Sequence, residues 1–176
     1  MNRVMDGVVG GWSLDAIATM QKGNPFWVSA PNNTNWSPAN IKADRYCNGR
    51  NELSNKNLRS NGMYWLNTGV ISSANSTCFV NPATDAHNTS GSTWYYGNSG
   101  FDILTGPGIN DWDAGVHKTI PIHDTIHFVV RGEFFNAWNH ASFANPNTGV
   151  TSATFGKVTS TQGNPRIVQL GGTLTF

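Results

Sequence analysis

Charge is scarce in this sequence. Of 176 residues, 11 are Lys or Arg and 10 are Asp or Glu, so charged side chains make up 12%, where an ordinary soluble domain carries about a quarter. The net charge of +1 leaves no electrostatic footprint for nucleic acid, and no such partner is expected. No apolar run approaches the length of a transmembrane helix. The opening MNRVMDGVVGGW lacks the apolar core and cleavage site of a signal peptide. A membrane-crossing strand would escape both scans, because only alternate residues face lipid. Cysteine is nearly absent: Cys47 and Cys78 stand 31 apart with no His/Cys spacing suited to zinc. No metal site and no cofactor are expected. The two thiols are either unrelated or joined in a disulfide stapling a long loop in an oxidising compartment. Their polar surroundings favour the disulfide.

Gly, Asn, Thr and aromatic residues are plentiful, with aromatics at 11%. That mixture disfavours helices and suits strands joined by polar loops. Seven Trp and nine Phe argue against a disordered chain, which would leave them in water.

Four segments alternate apolar and polar with the period of a strand. Residues 8–20 put Trp12 and Leu14 on one face with Ala16, Ala18 and Met20, and Ser13, Asp15, Ile17 and Thr19 on the other. Residues 110–120 group Trp112 and Val116 with Ala114 and Ile120, an apolar set that also contains Lys118. Asp113 and His117 oppose them. Residues 126–138 put Phe128, Val130 and Phe134 on one side, and His127, Arg131 and Glu133 on the other. Residues 166–176 end the sequence with Val168, Leu170, Leu174 and Phe176 against Gln169, Thr173 and Thr175. PFWVSA, from Pro25 to Ala30, reads as a continuation of the first strand after a bend.

These strands run longer than the five or six residues usual in soluble proteins. They suit a tilted bilayer crossing, which takes about nine to eleven. Connections alternate between long (31–108, 139–165) and short (121–125). The predicted fold is all-β: an antiparallel meander of about four long strands with long loops on one side. That asymmetry belongs to outer-membrane barrels, with short periplasmic turns and long outer loops. In that setting Trp12, Leu14, Trp112, Val116, Phe128, Val130, Phe134, Leu170, Leu174 and Phe176 face lipid. Asp113, His117, His127, Arg131 and Glu133 face the lumen.

Motifs for chemistry are lacking. His117 and His127 are candidates for cross-strand neighbours, but polar lumen residues explain them better than a metal site. Asp113 and Glu133 have no nucleophile signature beside them; they read as lumen charges, some paired with Arg131 across the hairpin. LTGPGIN contains G-x-G yet opens no helix, so it is no phosphate loop. Asn32, Asn35, Asn75 and Asn88 begin N-x-S/T triplets of the kind that arise by chance in Asn- and Thr-rich sequence. Ser13 and Asp15 fit no triad order. No catalytic residue is assigned and no enzymatic activity is expected. The ligand-binding residues are not legible.

Several ordered blocks, however, carry a resemblance over essentially the whole sequence. GGWSLDAIATMQKGNPFWV, YGNSGFDILTGPGINDWDAGVHKTIPI, VVRGEFFNAWNHASFANPNT and ATFGKVTSTQGNPRIVQLGGTLTF together resemble the C-terminal end of TonB-dependent outer-membrane receptors, of the Oar-like branch that often carries a carboxypeptidase-regulatory-like domain. The resemblance implies a location in the outer membrane and a role in nutrient uptake. It implies as partners the membrane lipid, the remainder of the receptor barrel with its plug, and the barrel-assembly machinery, which would read the final strand ending in Phe176. Such receptors have about twenty-two strands. Four strands and no plug sequence predict a fragment, inactive alone, because only a closed barrel satisfies its backbone in lipid.

A rival reading is a secreted β-sandwich carbohydrate-binding module, with Trp27, Trp36, Trp94, Tyr95 and Tyr96 as a stacking platform. The alternation along the strands fits a sandwich as well; their length does not. A small secreted hydrolase has only scattered polar residues in its favour.

Overall fold

The computed structural model describes residues 7–32, 39–49, 58, 62–68, 78–85 and 96–176. The chain divides into two compact units. The first, residues 1–21, 109–142 and 162–176, is a four-stranded antiparallel sheet. Its strands are β1 (Trp12–Gln21), β2 (Ile109–His123), β3 (Ile126–Phe135) and β4 (Ile167–Thr175). They pair in sequence order, β1-β2-β3-β4, leaving β1 and β4 as open edges. This is the expected meander, all-β and not closed into a barrel.

The hairpin between β2 and β3 is tight, and β2 runs further into it than the sequence suggests. Its register slips between Pro121 and His123, where proline has no N–H to give the ladder. The first strand, by contrast, starts later than expected. Residues 7–9 are helical, and Gly11 has φ +73°. A Cβ there would lie 2.4 Å from the Thr119 carbonyl oxygen, so only glycine lets the chain turn into β1 so close to β2. The third strand ends at Phe135 instead of residue 138. Asn136 takes φ +48° and breaks the extended backbone.

The second unit, residues 22–108 and 143–161, is built from the two long connections, which pair in short ladders. Pro25–Phe26 pairs with Leu104–Thr105, Ser29–Ala30 with Ile41–Lys42, and Asp44–Arg45 with Phe79–Val80. PFWVSA therefore belongs to these short ladders and does not extend β1. A short 3₁₀ turn, Pro82–Thr84, is capped by the Asn81 side chain.

The ladders enclose a core of Phe26, Val28, Ala30, Ile41, Ala43, Leu66, Cys78, Phe79 and Leu104. Both connections contribute. Val150 and Phe155 pack on this core, and Phe155 meets Phe79 edge to face at 6.1 Å. Ser29 donates its N–H to Thr148 and accepts from Val150, each at 2.9 Å. Cys47 and Cys78 are bonded, with Cα atoms 5.0 Å apart. The disulfide is therefore part of the apolar core, because Cys78 is fully buried.

Candidate functional site: the two faces of the sheet

Cross-strand pairing keeps like with like. Leu14 stands opposite Val116, and Ala18 opposite Trp112. Val116 stands opposite Gly132, itself opposite Leu170. Phe134 is paired with Val168, and Phe128 with Leu174. Trp12, Leu14, Trp112, Val116, Phe128, Val130, Phe134, Leu170 and Leu174 thus share one face. Phe176 follows the last residue of β4 and is 93% exposed. Trp138 lies beyond the end of β3 and is also exposed.

Lys118 falls on this face between Trp12 and Val130, yet only 8% of it is exposed. Its ammonium donates to the carbonyls of Val8 and Gly10 and lies 5.0 Å from the centre of the Trp12 ring. The indole N–H of Trp12 donates to the same Val8 carbonyl at 2.9 Å. The turn at residues 7–11 thus supplies the oxygens that satisfy a cation placed among apolar side chains.

The opposite face carries Asp113, His117, His127, Arg131 and Glu133. The register separates the two histidines: His117 is opposite Arg131, and His127 is opposite Pro121. They are not the neighbours the sequence suggested. His117 instead meets Asp15 of β1, Nε2 to Oδ1 at 2.9 Å. His127 Nδ1 is buried with no hydrogen-bond partner among the described residues. Glu133 lies opposite Gly115 and Gln169, and Arg131 opposite Gly171. The pairing of Arg131 with Asp113 or Glu133 straight across the hairpin is therefore absent from the register.

Asp113 accepts the backbone N–H of Asn136 at 2.9 Å. Asn136, missed at the sequence level, is buried. Its amide donates to the carbonyls of His140 and Asn164 at 3.1 Å, and its oxygen accepts the His140 N–H at 2.8 Å. This side chain fixes the corner where β3 ends. It borders a cavity of about 300 Å³ lined also by Asp111, Asp113, Phe135, Ile167 and Gln169. Among the described residues, no group of three or more His, Cys, Asp or Glu is placed to hold a metal.

Apart from the turn at residues 7–11 beside Trp12 and Lys118, the described residues of this unit leave much of the apolar face exposed. Leu14 is 81% exposed and Leu170 77%, with Trp12, Val168 and Leu174 all above half. A family model described as "Outer membrane beta barrel domain" matches residues 1–169. The chain belongs to this outer-membrane β-barrel family. The barrel domain accordingly resides in the outer membrane. No curated protein and no solved structure matches it.

Two residues of the rival carbohydrate platform lie within the described residues of the barrel domain. Trp27 packs edge to face on Phe101 at 5.3 Å, and Tyr96 is exposed. Trp36, Trp94 and Tyr95 lie outside the described residues, as do Asn35, Asn75 and Asn88.

Proposed function

We propose that this chain is a barrel portion of a TonB-dependent outer-membrane receptor of the Oar-like branch, serving nutrient uptake and having no enzymatic activity. The observation that carries the reading is the largely exposed apolar face of the sheet, opposed by a face that holds Asp, His, Arg, Glu, Thr and Gln together with Ile17, Val129, Phe135 and Ile167. In this reading hydrocarbon lies against Leu14, Trp112, Val130, Phe134, Leu170 and Leu174, while Asp113, His117, His127, Arg131 and Glu133 line a wet lumen. The lengths of β1, β3 and β4, at ten, ten and nine residues, suit a crossing of about nine to eleven residues. The open backbones of β1 and β4 pair with further strands of the receptor, since lipid offers them no hydrogen bonds. The final strand is the element presented to the barrel-assembly machinery. The β-sandwich alternative gains nothing from the length of these strands, since sandwich strands are shorter.

The test is transport. Siderophores and oligosaccharides serve as probes in the producing cell. Deleting the coding region for residues 109–176 removes uptake of one of these classes, and so does collapse of the inner-membrane proton gradient. Uptake of every probe that survives both treatments contradicts the receptor reading.

A further inference from the structure

The polar face of the sheet breaks its own pattern at one end. Phe135 and Ile167 stand opposite each other on β3 and β4, on the side that also holds Asp113, Glu133 and Gln169. Both are partly exposed, at 38% and 46%. Together they line the cavity of about 300 Å³ at the corner where β3 ends, in company with Asp111, Asp113, Asn164 and Gln169. Apolar walls carrying a few placed polar groups in a concave site are the composition of a small-molecule pocket.

The polar groups of this cavity are held in place from behind. Asp113 Oδ1 accepts the N–H of the buried Asn136 at 2.9 Å. The Asn136 amide is itself tied to the carbonyls of His140 and Asn164, so the carboxylate is positioned before any ligand arrives. Asp111 Oδ1 accepts the Trp112 N–H at 3.0 Å. In both aspartates Oδ2 receives no hydrogen bond from a described residue, and neither forms an ion pair with one. The side-chain amides of Asn164 and Gln169 have no partner among the described residues either.

The hydrogen-bonding inventory decides the class of ligand. Calcium wants about six to eight oxygen ligands, and no group of three or more ligating side chains is placed for a metal among the described residues. An ammonium or guanidinium only donates; it would leave the amide N–H groups of Asn164 and Gln169 without acceptors. Hydroxyls donate and accept. They can donate to the aspartate oxygens and exchange bonds both ways with the two amides. A sugar ring adds an apolar face of C–H groups, which suits Phe135 and Ile167. We propose that this cavity binds a single neutral sugar ring. Its volume is at the low end of ligand cavities, which run to about 1,000 Å³, so it takes one ring and not a chain. The inference rests on the receptor reading for the ligand's route, because that reading makes the polar face a lumen.

The same side chains set the selectivity. Asp113 is the fixed acceptor, Asp111 a second one, and Phe135 the platform. Glu133, opposite Gln169, adds a third negative charge beside the cavity. A sugar acid would bring its carboxylate against all three, and like charges reject a ligand as effectively as good contacts select one. The site therefore takes a hexose and excludes the corresponding uronic acid.

The experiment uses the complete barrel that contains this chain, with methyl-labelled isoleucine, in micelles whose headgroup is not a sugar. Glucose, galactose, mannose and N-acetylglucosamine are titrated in turn, with glucuronate and the diamine cadaverine as the charged probes. The Ile167 methyl signal should shift saturably with at least one neutral sugar and with neither charged probe, while Ile122, at the far end of the hairpin, should stay in place. Asp111→Ala should weaken that binding about tenfold to a hundredfold, the worth of a hydrogen bond to a charged group. Phe135→Ala should weaken it too, and Thr173→Ala, on the same face but away from the cavity, should not. An Ile167 signal that responds to no neutral sugar, or that responds to cadaverine instead, overturns the proposal, and the unaltered barrel decides this even if the variants fail to fold. Loss of the sugar site with proton-gradient-dependent uptake intact would leave the receptor reading standing; sugar binding by a barrel whose uptake survives collapse of the gradient would do the reverse.

Discussion

The two units use apolar side chains in opposite ways. In the unit built from the connections, Val28, Leu66 and Leu104 are at most 1% exposed, sealed by short ladders and a disulfide. In the sheet, Leu14 and Leu170 are 81% and 77% exposed, on long strands that alternate largely apolar with polar. One chain thus contains a core built to exclude water and a surface with apolar residues facing outward. The hydrophobic effect accounts for the first directly. It accounts for the second only if hydrocarbon replaces water at that surface. What distinguishes the units is the solvent each is built for.

Core truncation should show the largest effect. Leu104→Ala and Leu66→Ala should each cost about 2–5 kcal/mol, as buried leucines do when cut to alanine. Denaturant unfolding of the complete barrel that contains this chain, folded in vesicles, measures the loss, and it should be the same in micelles. The sheet should respond to charge instead. Leu170→Arg should cost about 2–4 kcal/mol in vesicles, the range for a cation at the lipid-facing midplane of a barrel. The adjacent Gln169→Arg should cost far less. Equal costs at 169 and 170 would erase the distinction between the faces.

The disulfide comes next. It closes a separation of 31 residues, and such links contribute about 2–4 kcal/mol. Replacing Cys47 and Cys78 by Ser should lower the unfolding midpoint of the connection unit while the sheet's own transition stays in place. Mass after alkylation without reductant should show no added label on the unaltered chain. The smallest effect belongs to Asp15→Asn. It removes a partly exposed contact with His117, an ion pair only when the imidazole is protonated, and such exposed pairs are worth about 0–1 kcal/mol.

The contrast also explains what could be read in advance. Alternation is local, so the strands and their faces were legible from Leu14, Val116, Phe134 and Leu170 alone. The exact limits were not. Gly11 matches the parity of a strand but adopts φ +73°, and Asn136 ends β3 through side-chain bonds to residues as far away as Asn164. The second core was illegible for a different reason. Val28, Leu66, Phe79 and Phe155 are scattered among polar residues, and no window of sequence contains more than a fragment of the cluster. The disulfide was anticipated, but from polar surroundings; its place in an apolar core was not.

The most direct test of the account places one nitroxide label at a time on β4, using Leu170→Cys or Gln169→Cys in the complete barrel that contains this chain, folded into vesicles, with Cys47 and Cys78 left bonded. Collision with oxygen, which concentrates in hydrocarbon, is compared with collision with a water-soluble nickel complex. The account predicts that the label at 170 responds to oxygen and is shielded from nickel, and that the label at 169 does the reverse. Equal access of nickel to both positions would contradict it.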